Sequence, residues 1–160
     1  MTLYSDLRTA IKTTLDTVTD VGVTHNRQRL HLGGDWSRFL TLFKTTIGGH
    51  DQLRGWMILR ESAVPTDSDF GETARLQNFL LVGIMGFQDS GDSYGTFQAL
   101  CDTVMATFED ETTMGVSGVI VGGIGPCTLR EFGEEMLGSV LCHVGFIELP
   151  ILTMRAQGTP

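Results

Sequence analysis

With 160 residues, 41% of them hydrophobic, the chain is long enough for one domain with a full core. A formal net charge of −8 argues against a grip on nucleic acid, which takes clustered Lys and Arg. There is no charged-then-apolar leader at Met1 and no apolar run near the ~20 residues of a membrane span, so a soluble, untargeted chain made in the cytoplasm is expected. Its three cysteines, Cys101, Cys127 and Cys142, are an odd set without C-x-x-C spacing, which suits buried thiols in a reducing compartment.

The first element is an amphipathic helix: Leu3, Leu7, Ala10, Ile11, Leu15 and Val18 recur at steps of three and four. Thr2 is placed to cap it, Asp6 suits its positive end, and Gly22 marks its exit. Val23, Leu30 and Leu32 suggest a weak edge strand around a polar interruption. After Gly33-Gly34, Asp35 caps a short helix near 35–45 with Trp36, Phe39, Leu40 and Phe43 on one face, and Gly48-Gly49 ends it. Gly55 to Glu61 reads as a strand and Ser62 to Gly71 as a loop.

Thr73 to Phe87 is a strand whose centre is apolar on both alternating faces, as in a central strand covered on both sides. Gln88 to Ser93 is a loop, with Asp92 or Ser93 capping a long helix from Ser93 to Glu109. Tyr94, Phe97, Leu100, Cys101, Val104, Met105 and Phe108 form its apolar stripe. Glu109-Asp110-Glu111 closes that helix at the end where cations are preferred, either as a solvated end or as an acidic rim with a purpose. Val119-Ile-Val and Leu129 are strand candidates in a Gly-rich stretch, and Gly133-Glu-Glu reads as a turn. The last element, Leu137 to Met154, exceeds the ~3–10 residues of an ordinary strand and is interrupted only by Gly145 and Pro150.

This order predicts an α+β fold: a mainly antiparallel sheet of about four or five strands, with two principal helices packed on one face. Residues 1–155 form one domain and 156–160 a flexible tail. So much apolar strand with so few helices implies that part of the sheet is buried against other chains.

No constellation points to catalysis. Cys142 and His143 are adjacent on a strand and face opposite ways, a core thiol beside a histidine on the polar face. His25, His31 and His50 lack zinc spacing. Gly115 to Pro126 lacks the Gly-Lys-Ser/Thr ending of a phosphate loop. Asp89-Ser-Gly-Asp92 lacks the terminal glutamate of a calcium loop. Glu134-Glu135 reads as a surface turn. No enzyme, metal or cofactor is expected. Arg27, Arg29, Arg38, Arg54 and Arg60 make the first half locally basic, as solvated side chains or as an interface for acidic neighbours.

The assembled pattern resembles the tail-terminator family of long-tailed bacteriophages. The resemblance is carried by the Leu3-to-Val18 helix, Asp35-Trp-Ser-Arg-Phe-Leu-Thr-Leu-Phe43, Arg75-Leu-Gln-Asn-Phe-Leu-Leu-Val82, the Ser93-to-Phe108 helix and Gly138-Ser-Val-Leu-Cys-His-Val144. It implies a structural virion protein at the tail–neck junction, a homo-hexameric ring with an open lumen through which DNA passes without specific binding. One face would meet the tail tube protein and stop its polymerisation; the other would meet a head-completion or connector protein. Alternatives are another neck protein of the same virion, a small-molecule binding module with Gly115–Pro126 as a lid, and a thiol enzyme using Cys142. The interface candidates are Arg27 and Arg29, then Pro65, Asp67 and Asp69 in the first loop. Gln88, Asp89 and Asp92 follow in the second loop, Val119 and Ile120 in the Gly-rich stretch, and Arg130 beyond it.

Overall fold

The computed structural model describes residues 3–26, 36–66, 72–88, 91–121 and 126–156. In chain order these form α1 (Leu3–Leu15), β1 (Val23–His25), α2 (Trp36–Phe43), β2 (Lys44–Ile47), β3 (His50–Thr66), β4 (Glu72–Gly86), α3 (Ser93–Asp110), β5 (Val119–Val121), β6 (Thr128–Leu137) and β7 (Val140–Ala156). The fold is α+β, as expected. Its sheet joins six strands rather than four or five, and β2 forms a hairpin on the start of β3.

The axis of the sheet is the pair β4–β7, in unbroken antiparallel register from Glu72↔Ala156 to Gly86↔Cys142. β3 lies along the other edge of β4, with a bulge between Arg60 and Ser62. The far edge of β7 is shared: β6 takes residues 140–148 and β5 takes 151–153. Pro150 falls in the gap between them, which explains how a residue without an N–H sits in the middle of a central strand. β1 pairs in parallel with Gly55–Met57, and every other pairing among the described residues is antiparallel.

Alternation along the strands builds two cores. On one face Trp56, Ile58, Phe79, Leu81, Ile147 and Leu149 meet Leu7, Ile11 and Leu15 of α1 and Phe97, Cys101, Val104 and Phe108 of α3. On the other, Met57, Leu80, Val82, Ile84, Cys142 and Val144 receive Phe39 and Phe43 of α2. The two principal helices thus share a face, and the short helix covers the opposite one. Gly83 makes room for Trp56: a Cβ there would lie 2.6 Å from the indole Cη2.

Three local expectations are corrected. Gly48-Gly49 does not end a helix; with φ of 60° and 80° it turns the β2–β3 hairpin, a conformation that suits glycine. Ser62–Thr66 is strand, the continuation of β3 opposite β4, not loop. Gly133-Glu-Glu lies inside β6, and the turn comes later, between Leu137 and Val140, with Gly138 at φ 66°. Asp35, Thr2, Leu30, Leu32 and residues 157–160 lie outside the described residues. Residue 156, assigned to the tail, closes β7.

Candidate assembly surface

β3, β4 and β7 are longer than the helices that cover them. α2 packs against Met57, Leu80, Val82, Ile84 and Val144, and its cluster stops there. Further along the same face the register lines up Val64, Leu76 and Leu152 in one row and Thr66, Ala74 and Met154 in the next. Val64 is 51% exposed and Met154 37%. The three strands therefore end in an arm with an apolar face. On its reverse, Pro65, Arg75 and Thr153 form one row and Ala63, Gln77 and Ile151 another, a mixed face whose Ile151 joins the main core.

The two edges of the sheet differ. Past Met57 the outer edge of β3 has no strand partner among the described residues, and neither has the outer edge of β6. Both are guarded against continuous pairing. β3 carries a bulge and Pro65, while β6 carries exposed Glu131, Glu134 and Glu135. Contacts between copies would then run through side chains rather than an extended ladder.

The interface candidates do not form one patch. Arg27, Arg29, Asp67, Asp69 and Asp89 lie outside the described residues. Pro65 is exposed in β3. The Gln88 N–H donates to Ser93 Oγ at 3.2 Å. Asp92 caps α3, its carboxylate accepting from the Gly95 N–H at 2.8 Å. Ile120 pairs with Leu152 in β5. Val119 is corrected: it is 2% exposed, packed into the main core, so its side chain is not offered to a neighbour. Arg130 is exposed and lies 3.2 Å from Glu61 and 3.1 Å from Glu148, a bridge worth little on a solvated surface. The apolar face of Val64, Leu76, Leu152 and Met154 was missed, although alternation through Ile151-Leu-Thr-Met154 was its signal.

Arg54, read as part of a basic surface, is also corrected. It is 6% exposed, and its guanidinium donates to the Asp20 carbonyl at 3.0 Å and to Gln52 Oε1 at 2.9 Å. Desolvation lowers its pKa, opposed by the Asp20 charge. His25 contacts the Leu42 carbonyl at 2.9 Å, and His50 is an exposed residue of the hairpin.

His143 was expected on an exposed polar face and is fully buried. The start of α3 folds over this row of β7, and Phe87, Tyr94, Phe97 and Phe132 surround the imidazole at centroid distances from 5.2 to 6.3 Å. Nε2 lies 2.9 Å from Ser93 Oγ, while Nδ1 is 3.8 Å from the nearer Glu134 oxygen, too far for a hydrogen bond. The order serine, histidine, carboxylate suggests a nucleophile and its base. Yet Ser93 is only 5% exposed and its oxygen already accepts from Gln88, so we read the group as a tie between α3, β6 and β7.

All three cysteines are free and buried. Burial pushes the Cys101 and Cys127 thiols up to about 12, with help from the Asp102 and Glu109 charges, and burial raises Cys142 to about 11. Such thiols are poor nucleophiles at neutral pH. Among the described residues no group of His, Cys, Asp and Glu is placed to hold a metal ion, and no helix is long and apolar enough to cross a membrane. No family model matches the chain, and no curated protein sequence matches it.

Proposed function

We propose that this chain is a structural virion protein that forms a hexameric ring capping a phage tail tube. In that role it stops tube polymerisation and presents the surface to which the head is joined. The observation that carries the reading is the arm of β3, β4 and β7, with Val64, Leu76, Leu152 and Met154 on a face beyond the reach of α2. An apolar strand face of this kind is a contact surface. Two unlike edges favour head-to-tail contact, and a head-to-tail contact of suitable rotation closes into a ring. The sequence resemblance supplies the tube end as the place where that ring sits. The acidic balance of the chain suits a lumen that DNA traverses without sticking.

The test is electron microscopy of a lysate lacking the protein. The expected picture is DNA-filled heads unjoined to tails of uncontrolled length. Tails of normal, uniform length that fail only to join heads would move the assignment to another neck protein. A map of the tail–neck junction with any symmetry other than sixfold at this layer would overturn the hexamer.

A further inference from the structure

Arg8, Arg60 and Arg75 form no ion pair with another described residue, in a chain whose formal charge is −8. They are nevertheless gathered around one tyrosine. The Arg60 and Arg8 guanidinium carbons lie 4.2 and 4.4 Å from the centroid of the Tyr4 ring. Arg75 joins Tyr4 and Arg60 around a cleft of about 400 Å³ on the reverse of the arm, with Leu3, Thr73, Gln77 and Thr153 in its wall.

The cleft is held in shape from beneath. Arg60 donates to Gln77 Oε1 at 3.5 Å, Gln77 donates to Thr153 Oγ1 at 3.4 Å, and Thr153 donates to the Arg75 carbonyl at 3.1 Å. Gln77 and Thr153 are 5% and 4% exposed, so this relay is part of the fold. Arg8 lies over the Tyr4 ring but outside the lining of this cleft. The result is a cluster of like charges with spare N–H donors, fixed by a buried network and stacked on an aromatic ring. Guanidinium donors so arranged match the oxygens of a carboxylate.

The same chain carries the complementary feature. Glu109, Asp110 and Glu111 close α3, whose last turn has no basic residue, at the pole where anions are disfavoured. These acids too make no ion pair with another described residue. Two unsatisfied surfaces of opposite sign on one chain describe a head-to-tail contact.

We propose that the Tyr4, Arg60 and Arg75 cleft receives the Glu109–Glu111 end of α3 from a second copy of this chain. The inference rests on the ring reading and names the contact within it. Such a contact is disrupted by reversing either side and restored by combining the two reversals.

The test uses two variants of the full chain, Arg60→Glu/Arg75→Glu and Glu109→Lys/Asp110→Lys, followed by sedimentation over a wide concentration range. All four positions are exposed, so both variants should fold. The wild-type chain should self-associate, each variant alone should associate at least about tenfold more weakly, and an equimolar mixture should recover assembly. If either double variant fails to fold, Arg75→Gln and Asp110→Asn take its place, each expected to weaken association when measured alone, and the mixing arm is then left out. Wild-type-like association by either variant, or no recovery on mixing, overturns the contact and leaves the ring to the microscopy. A wild-type chain that stays monomeric throughout also overturns it. If that monomer binds inorganic phosphate in calorimetry, the cleft is a small-anion site instead.

Discussion

Ser93 Oγ and His143 Nε2 meet at 2.9 Å across a separation of 50 residues, where the first turn of α3 crosses β7. The contact joins a helix N-terminus to the interior of a central strand. His143→Ala should therefore remove both the tie and the filling of an aromatic box, at a cost of roughly 2–4 kcal/mol. Ser93→Ala should cost about 1 kcal/mol. Urea unfolding measures both, and an unchanged midpoint for His143→Ala would place the imidazole in solvent.

Phe97 is fully buried in the middle of α3, against Trp56 and Phe132. Phe97→Ala should lower stability by roughly 3–5 kcal/mol. Calorimetry showing no change in melting temperature would mean that the stripe does not pack as described.

The cysteines give a prediction in pH. Their folded pKa values lie above the ordinary thiol value of 9.0, so in alkali the native state holds protons that the unfolded chain has released. The stability tied to these thiols is fully present below about pH 9 and is lost as pH rises towards 12. Thiol-specific alkylation at pH 8 should be slow in the native protein and fast in denaturant. Rapid native labelling of Cys142 would revive a thiol chemistry. Cys142→Ser should weaken assembly only as far as it weakens the fold.

The arm separates stability from assembly. Val64 is half-exposed at the end of β3, so Val64→Lys should leave the unfolding free energy within about 0.5 kcal/mol. The same change should prevent ring formation on tails. Normal tail capping by a folded Val64→Lys protein would remove the apolar face from the interface.

What was legible in the sequence follows from how each segment is buried. α1, α3, β4 and most of β7 face a core directly, and burial writes a period into the residues: Leu7, Ile11 and Leu15 at helical steps, Phe79 to Met85 apolar without a break. β6 escaped because it is an edge strand: all of its residues from Thr128 to Met136 are exposed or half-buried, so glycine and paired glutamates there read as a turn. The end of β3 escaped for a related reason, since Ser62 to Thr66 is solvated on both faces and holds a proline, tolerable on an unpaired edge. The burial of His143 had no local signal at all, because the groups that enclose it come from α3, β6 and the residue just after β4. The burial of Val119 had no local signal either: it is held in the core by a strand pairing with Thr153, a contact between distant segments.

The β4–β7 pairing also dictates when this protein can fold. β4 lies in the middle of the chain and is apolar on both faces, but its long partner is not complete until residue 156 has left the ribosome. Until then β4 can pair only with β3, and the core beneath α1 and α3 lacks the row from Ile147 to Ile151. The nascent chain thus carries a pairing-competent strand without its long partner until β7 is made, when unfinished copies on one message are close together. We expect its yield to depend on translation rate and chaperone supply more than the stability of the finished fold would suggest.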